Sequence, residues 1–398
     1  MSVHLWLSTG GALAGSAAGL LTIPGTLELG LVTLAGYLPT RKPKPGVSGR
    51  KIRLAVVIPA HNERESIGRC VASVMKCRRE AGEYRVFVIA DNCTDETASI
   101  ARAAGAEVLE RNDETLRGKG HALFFAFSRL MAKPFDAFLV IDADTIAEAG
   151  VLDDFARAFA RGAEALQCSY RLADAEKWPL LDLANRGFNV VRLRGRWRLG
   201  LSAGILGNGF GLSRSTLERV PYTAGSIVED AEYHLSLVRA GIQVEFLQPT
   251  IVRGATPVAD AGRASQRARW EGGRLGLVKQ HTGWLTREVL RGRLRFVELL
   301  LDLLTPPIAF QVLLLIAALA LPSTFGRSVA VAGFVVLLLH VGAAIASGDS
   351  VVNDLRTLAR TPIYVFWKLK QVPRIIRASG GSMPWVRTAR EGEAKQHA

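Results

Sequence analysis

Cysteine is scarce. The 398 residues include four, Cys70, Cys77, Cys93 and Cys168. None forms a C-x-x-C pair, and no group of histidines and cysteines has zinc-ligand spacing. Reduced thiols of this kind suit a cytosolic compartment. Also missing is a close glycine pair in the first strand-to-helix turn. That turn reads PAHNERES (59–66), where a dinucleotide-binding enzyme would carry G-x-G-x-x-G. The later GNGFG, with Gly207, Gly209 and Gly211, has the wrong spacing and lies far downstream. A dehydrogenase is excluded on this ground. There is no internal repeat, no low-complexity linker and no aromatic-rich RNA motif, so no nucleic-acid partner is expected.

Charge is almost absent from residues 3–39, where Glu28 is the one acid. A membrane-spanning helix needs about 20 apolar residues. The stretch therefore holds one long span kinked at Pro24–Gly25, or two short ones. No basic segment precedes it, which disfavours a cleaved signal peptide. Arg41, Lys42 and Lys44 follow at once, and such positive charge places the next domain in the cytoplasm. Two further spans are predicted. One covers 297–321 and is interrupted by Asp302 and by Pro306–Pro307; the other covers 328–347. Segment 361–376 mixes aromatics with Lys368, Lys370 and Arg374, a composition suited to a helix lying in the membrane interface.

These features predict an integral membrane protein of the bacterial inner or plasma membrane, with a cytoplasmic α/β domain. The expected division is 1–40 for the N-terminal span, 41–292 for the cytosolic domain, 293–348 for two C-terminal spans, and 349–398 for the interfacial helix and basic tail. The net charge of +14 suits an anionic leaflet or an anionic substrate.

Between about 51 and 250 the pattern changes. RLAVVIPA (53–60), RVFVIAD (85–91) and DAFLVIDAD (136–144) are short apolar runs that end in polar residues. They read as buried parallel strands. Helical patterns at 63–79, 94–104 and 118–132 alternate with them, which predicts a doubly wound sheet. Ligands of such sheets bind beyond the carboxyl ends of the strands.

Those ends are rich in oxygen donors. The first carries His61, Asn62 and Glu63; the second Asp91, Asn92 and Asp95; the last Asp142 and Asp144. Two carboxylates at i and i+2 can meet one hard cation if the chain turns there. Mg²⁺ and Mn²⁺ prefer such ligands and share them with substrate phosphates. A lone D-x-D also suits a turn or a helix N-cap; three acidic strand ends in one sheet favour a site. Downstream, Glu229 and Asp230 precede a helix predicted at 231–240. They suit either its N-terminal dipole or a general base. In SQRARWEGGR (265–274), a helix would bring Gln266, Arg269 and Trp270 to one face. Arginine's planar fork matches phosphate oxygens. Arg267 and Arg274 fall off that face and are expected to meet solvent or lipid headgroups.

Taken in order, PAHNE, ADNCTDET, GKGHAL, DAD, GNGFGLSR, VEDAE and QRARW resemble the membrane-bound family 2 glycosyltransferases over roughly 53–275. The resemblance implies a GT-A fold, a divalent cation (Mg²⁺ or Mn²⁺), a nucleotide-sugar donor, most simply a UDP-sugar, and inversion at the anomeric carbon. It implies that Glu63 and Asp91 hold the nucleoside, with Lys119 near the base or diphosphate. Asp142 and Asp144 would engage diphosphate and metal, and Asp230 would deprotonate the acceptor. Gln266 and Arg269 would close over the diphosphate. Gly207, Asn208, Glu229 and Trp270 would stand on the acceptor side. The acceptor implied is a membrane-associated polysaccharide or lipid-linked glycan; the alternative is single-sugar transfer to a ceramide- or diacylglycerol-type lipid. The family often has two adjacent acids where this chain has Asp91–Asn92, which leaves Asp91 alone in that role.

Overall fold

A computed structural model describes residues 2–39, 51–223, 225–255 and 260–359, with backbone alone for 2–8 and 260–271. The expected charges at 41–44 and the expected interfacial helix at 361–376 lie outside the described residues. In chain order the elements begin with α1 (Ser2–Ala35), β1 (Ile52–Ala60), α2 (Ile67–Met75), β2 (Gly82–Asp91) and α3 (Thr97–Ala103). Next come β3 (Glu107–Arg111), α4 (Lys119–Leu130), β4 (Ala137–Val140), β5 (Thr145–Ala147), α5 (Val151–Ala160) and β6 (Ala165–Leu172). Helix α6 (Pro179–Arg186) runs through a π-helical stretch (Gly187–Arg192) into α7 (Leu193–Arg198). The domain continues with β7 (Phe210–Ser213), α8 (Arg214–Arg219), α9 (Glu229–Arg239), β8 (Val244–Gly254) and α10 (Asp260–Leu290). Four more helices follow, α11 (Val297–Leu304), α12 (Ile308–Ala320), α13 (Thr324–Ala346) and α14 (Val351–Leu358).

The strands form one sheet in the order β3-β2-β1-β4-β7-β6-β8-β5. Alternation along β1 explains its two covered faces. Leu54, Val56 and Ile58 pack with Ile67, Val71 and Phe155 on one side. Ala55 and Val57 pack with Leu123, Phe127 and Tyr233 on the other. Helices α2, α3 and α5 thus cover one face, and α4 and α9 the other, as period-two side-chain placement requires. The strands predicted at 53–60, 85–91 and 136–144 fall on β1, β2 and β4, and β1 pairs in parallel with both β2 and β4. The sheet is nevertheless mixed rather than wholly parallel. β7 runs antiparallel to β4 and β6, and β5 antiparallel to β8. The last predicted strand also ends early, at Val140. Asp142 and Asp144 therefore lie in the turn beyond it.

Among the described residues, two helices are long and apolar enough to cross a membrane, Thr9–Ala35 within α1 and α13. The first is a single helix with Pro24 inside it. The interrupted stretch predicted as one span is a helix pair, Leu294–Leu304 and Ile308–Ala320, bent by 81° at the expected prolines. Thr305, Pro306 and Pro307 separate the two helices. Proline lacks an N–H, and the residue before it is pushed out of the α region. Helices α1 and α13 run in the same direction. Ser16 meets Ser323 near their starts at 2.8 Å, and Thr33 meets His340 near their ends at 2.7 Å. Their carboxyl ends therefore share one side, and the sheet domain docks there.

That docking is made of buried charge. Glu28 on α1 has no exposure and accepts from Arg192 at 2.7 Å and from Arg196 at 3.2 Å. Arg196 also reaches Asp302 at 3.0 Å and pairs with Glu298, while Arg192 pairs with Asp302. Close approach of the backbones permits this, since a Cβ on Gly195 would overlap the Val32 carbonyl. Removing one member of a buried ion cluster leaves its partners charged and dry. Glu28→Ala is expected to cost about 3–5 kcal/mol, read as the unfolding midpoint of the full chain in detergent. An unchanged midpoint would contradict this account of the docking.

Candidate active site

Strands β1 and β2 end in the same way. Asn62 and Asn92 have φ of 53° and 51°, the left-handed region that asparagine tolerates better than most residues. Each side chain then ties down a neighbouring loop. Asn62 Oδ1 accepts from the Thr94 N–H at 2.8 Å, and Asn92 Oδ1 from the Asp113 N–H at 2.7 Å. Asn92 therefore works as a turn residue where the family often has a second acid. His61 Nδ1 donates to the Asp91 carbonyl at 2.7 Å and locks the two ends together. Glu63 is buried and accepts from Ser66 Oγ at 2.7 Å. Asp91 is buried against Arg111 at 2.5 Å. Burial pushes the Asp91 carboxyl up despite the pull of Arg111. Arg111 also reaches Asp113 at 3.0 Å and the Leu116 carbonyl at 2.7 Å. The sequence reading overlooked it. The signal was faint, AEVLER, a short run with Val108 and Leu109 among charges, which forms β3 and sets Arg111 opposite Asp91.

The second half of the site lies beyond β4. Asp142 and Asp144 are partly exposed while Ala143 between them is buried. The Asp142 N–H donates to Asn208 Oδ1 at 3.1 Å, and Asn208 Nδ2 donates to Thr145 Oγ1 at 2.8 Å. Asn208 is 1% exposed. It therefore braces the D-x-D turn from beneath and is not open to an approaching acceptor. Gln167, fully buried on β6, fixes the Asn208 loop in turn. It donates to the Asn208 carbonyl at 2.8 Å and accepts from the Leu206 N–H at 2.9 Å. Gly209 has φ of +67°, and a Cβ there would overlap the Cys168 sulfur. No other residue type fits that bend.

Lys119, at the start of α4, is the meeting point. Its ammonium pairs with Asp142 and donates to the Gly207 carbonyl at 2.6 Å. A Cβ built on Gly207 would lie 3.2 Å from Asp230 Oδ2 and 3.5 Å from Lys119 Nζ. Lys119, Asp142, Gly207 and Asp230 are thus immediate neighbours. Glu229 and Asp230 open α9, where Asp230 Oδ1 accepts from the Ala231 N–H at 2.8 Å. Burial raises the Glu229 carboxyl to about 8, with Asp230 pushing the same way and Lys119 opposing. Burial also raises Asp230. For Lys119 burial disfavours the charge, but Asp142 and Glu229 outweigh it and hold the ammonium above its ordinary value. Among the described residues no group of three or more His, Cys, Asp or Glu could by itself hold a metal ion.

Gln266, Arg269 and Trp270 lie on α10, where only the backbone is described. That helix passes against the acids. A Cβ on Gly273 would come within 2.7 Å of Val228, the residue before Glu229. Arg274, expected to face solvent or lipid, is instead bound to Asp302. It donates to the Asp302 carbonyl and reaches its carboxylate at 3.2 Å. The reason lies in the helix break. Asp302 sits at the end of α11, already inside the ion cluster around Glu28, and it accepts a third guanidinium there.

Residues 52–273 match the family described as "Glycosyltransferase like family 2". The chain belongs to that family. A mannosyltransferase from Pyrobaculum calidifontis, solved with GDP-Man and Mn²⁺, shares its GT-A fold. The TM-score is 0.53 at 16% identity, covering 92% of this chain and 97% of that one. The probable glycosyltransferase YdaM of Bacillus subtilis is 24% identical over 239 residues, 56% of this chain and 55% of that protein. An uncharacterized glycosyltransferase of Mycobacterium tuberculosis is 32% identical over 146 residues, 37% of this chain and 62% of that protein. The match thus spans little more than half the length of these curated relatives.

The raised carboxyls have a consequence for pH. A carboxyl raised in the folded state keeps a proton that the unfolded chain has lost. The stability it contributes is complete below the unfolded value and is lost as pH rises through the folded one. For Glu229 the window runs from 4.5 to about 8. The unfolding midpoint of the nucleotide-free protein is expected to fall across that window. Glu229→Gln should flatten the fall. An unchanged slope in the variant would contradict the assignment.

Proposed function

We propose that this family 2 glycosyltransferase moves a sugar from a nucleotide sugar, UDP-linked in the simplest case, to a membrane-associated acceptor. The acceptor is a polysaccharide or lipid-linked glycan on the cytoplasmic leaflet. The observation that carries the reading is the convergence of Lys119, Asp142 and Asp230 around Gly207 at the carboxyl ends of the strands. A basic group beside a D-x-D turn suits a diphosphate. A carboxylate across from it suits a general base.

Each residue then has a task. Glu63, Asp91 and the Arg111 that pairs with it border the nucleoside end of the site. Lys119 draws the diphosphate toward Asp142. Asp230 accepts the proton of the acceptor hydroxyl. Its raised affinity for a proton matches this work, because a general base is most effective when poised near the working pH. Burial keeps that affinity high, and Asp142 adds to it by like charge. Gln266 and Arg269 on α10 close over the diphosphate, with Trp270 on the acceptor side. Arginine's fixed fork suits the phosphate oxygens.

The donor set fits a hard divalent cation. Asp142 and Asp144 supply carboxylate oxygens at the edge of the turn, and Mg²⁺-type ions need only one or two carboxylates when substrate phosphates complete the shell. When bound, such an ion would stabilise the charge growing on the leaving diphosphate. The solved mannosyltransferase with the same fold carried Mn²⁺ and a nucleotide sugar, which supports this reading. A retaining double displacement would need a second, nucleophilic carboxylate beside the sugar. One base and one departing diphosphate require only a single displacement, so inversion is the simpler reaction.

Asp230→Asn separates base from scaffold. Transfer should fall by about 10²- to 10⁴-fold, while UDP binding measured by calorimetry stays close to wild type. Loss of UDP binding in the variant would assign Asp230 to the helix start and not to the chemistry.

A further inference from the structure

The stretch from α6 to α7 carries five arginines, and they fall into two groups. Arg186, Arg192 and Arg196 each meet carboxylates, Asp182 and Asp354 for the first and Glu28, Glu298 and Asp302 for the others. Among the described residues, Arg194 and Arg198 meet none. Arg194 donates to Gln248 Oε1 at 3.0 Å and to Ser347 Oγ at 3.2 Å. Arg198 donates to the Gly36 carbonyl. A third guanidinium joins them from the end of β6. Arg171 donates to the Ser347 carbonyl at 3.1 Å, and its buried Nε has no acceptor. Two guanidinium groups therefore converge on one serine, with a third beside them, and every acceptor they have among the described residues is neutral.

Like charges crowded in a partly buried place repel one another unless an anion joins them. The effect is visible on Arg194. Burial holds its affinity for a proton below the ordinary arginine value, and Arg198 and Arg171 add to the depression. Asp182, whose carboxyl also feels the charge of Arg171, is engaged by Arg186 at 2.8 Å.

The location says which anion. Gly36 follows the last turn of α1, and Ser347 follows the last turn of α13. Both helices are long and apolar enough to span a bilayer, and these are their ends on the side of the sheet domain. The surroundings are apolar and exposed. Tyr37 and Leu38 lie open beyond α1, and Val351, Val352 and Leu355 lie open on α14. Aromatic and aliphatic side chains at a helix end mark the headgroup level. Arginine forks bind phosphate oxygens in pairs.

We infer that Arg171, Arg194 and Arg198 form a phosphate site at the junction of domain and membrane, and that it takes the headgroup phosphate of an anionic bilayer lipid. This site is separate from the Lys119 centre. It rests on the reading of α1 and α13 as spans, which carbonate extraction of native membranes tests independently.

Native mass spectrometry of the full chain, released from nanodiscs, tests the site. Phosphatidylglycerol should be retained over phosphatidylcholine, whose phosphate carries a choline cation. The Arg171→Gln/Arg194→Gln double variant should reduce that retention by about tenfold. The Arg171→Lys/Arg194→Lys variant keeps the charge and should retain most of the lipid. Thermal midpoints in phosphatidylcholine nanodiscs report whether each variant folds. If the glutamine variant does not fold, the headgroup preference of wild type and of the lysine variant decides. Equal retention of the two lipids by wild type, or unchanged retention in a folded glutamine variant, would overturn the proposal. Inorganic phosphate is the remaining arm. Displacement of phosphatidylglycerol at millimolar phosphate would show a site for the free ion and overturn the lipid assignment.

Discussion

One half-buried lysine organises the candidate site. Lys119 pairs with Asp142, holds the Gly207 carbonyl and lies beside Asp230. Burial raises the proton affinity of acids gathered in a recess, as it does for Glu229 and Asp230 here. A single ammonium among them pairs with the carboxylate at the D-x-D turn. In the proposed reaction it also gives a diphosphate something to bind. The long supporting chain of Gln167, Asn208 and Thr145 fixes the turn that presents Asp142 to it.

The site is also tied to the membrane helices by charge. Helix α10 carries Gln266, Arg269 and Trp270 past Val228, just ahead of Glu229. Four residues beyond Trp270, Arg274 anchors the same helix to Asp302. Asp302 in turn shares Arg192 and Arg196 with Glu28 on α1. A bend of 81° at the prolines puts Asp302 at a helix end, where a carboxylate can collect several guanidinium groups. Helix α10 and the span-length helix α1 are therefore joined through one ion cluster. Under the proposed function, that arrangement suits an acceptor held in the membrane.

Much of this was legible in the chain itself. Strands with short apolar runs announced their own ends, and the acids at those ends are the ones the fold gathers at the candidate site. Local pattern was sufficient because each strand presents its last residues to the same edge of the sheet. Partners set by pairing across the sheet were not legible. Arg111 meets Asp91 only because β3 lies beside β2 in that register. Gln167 reads as one polar residue in an apolar strand, and its value depends on an antiparallel neighbour, β7, that the repeating strand–helix pattern does not foretell. Arg274 was misjudged because helical periodicity takes no account of the bent pair that packs against it. Asn208 read as a lining residue, and burial makes it a brace.

The central claim is that the strand-end acids and Lys119 serve a metal-assisted transfer from a nucleotide sugar. The direct measurement is turnover of labelled UDP-sugars by the full chain in bilayers, with and without a chelator. Product formation should require Mg²⁺ or Mn²⁺ and should return when either ion is restored. Full turnover in the presence of chelator would contradict the account.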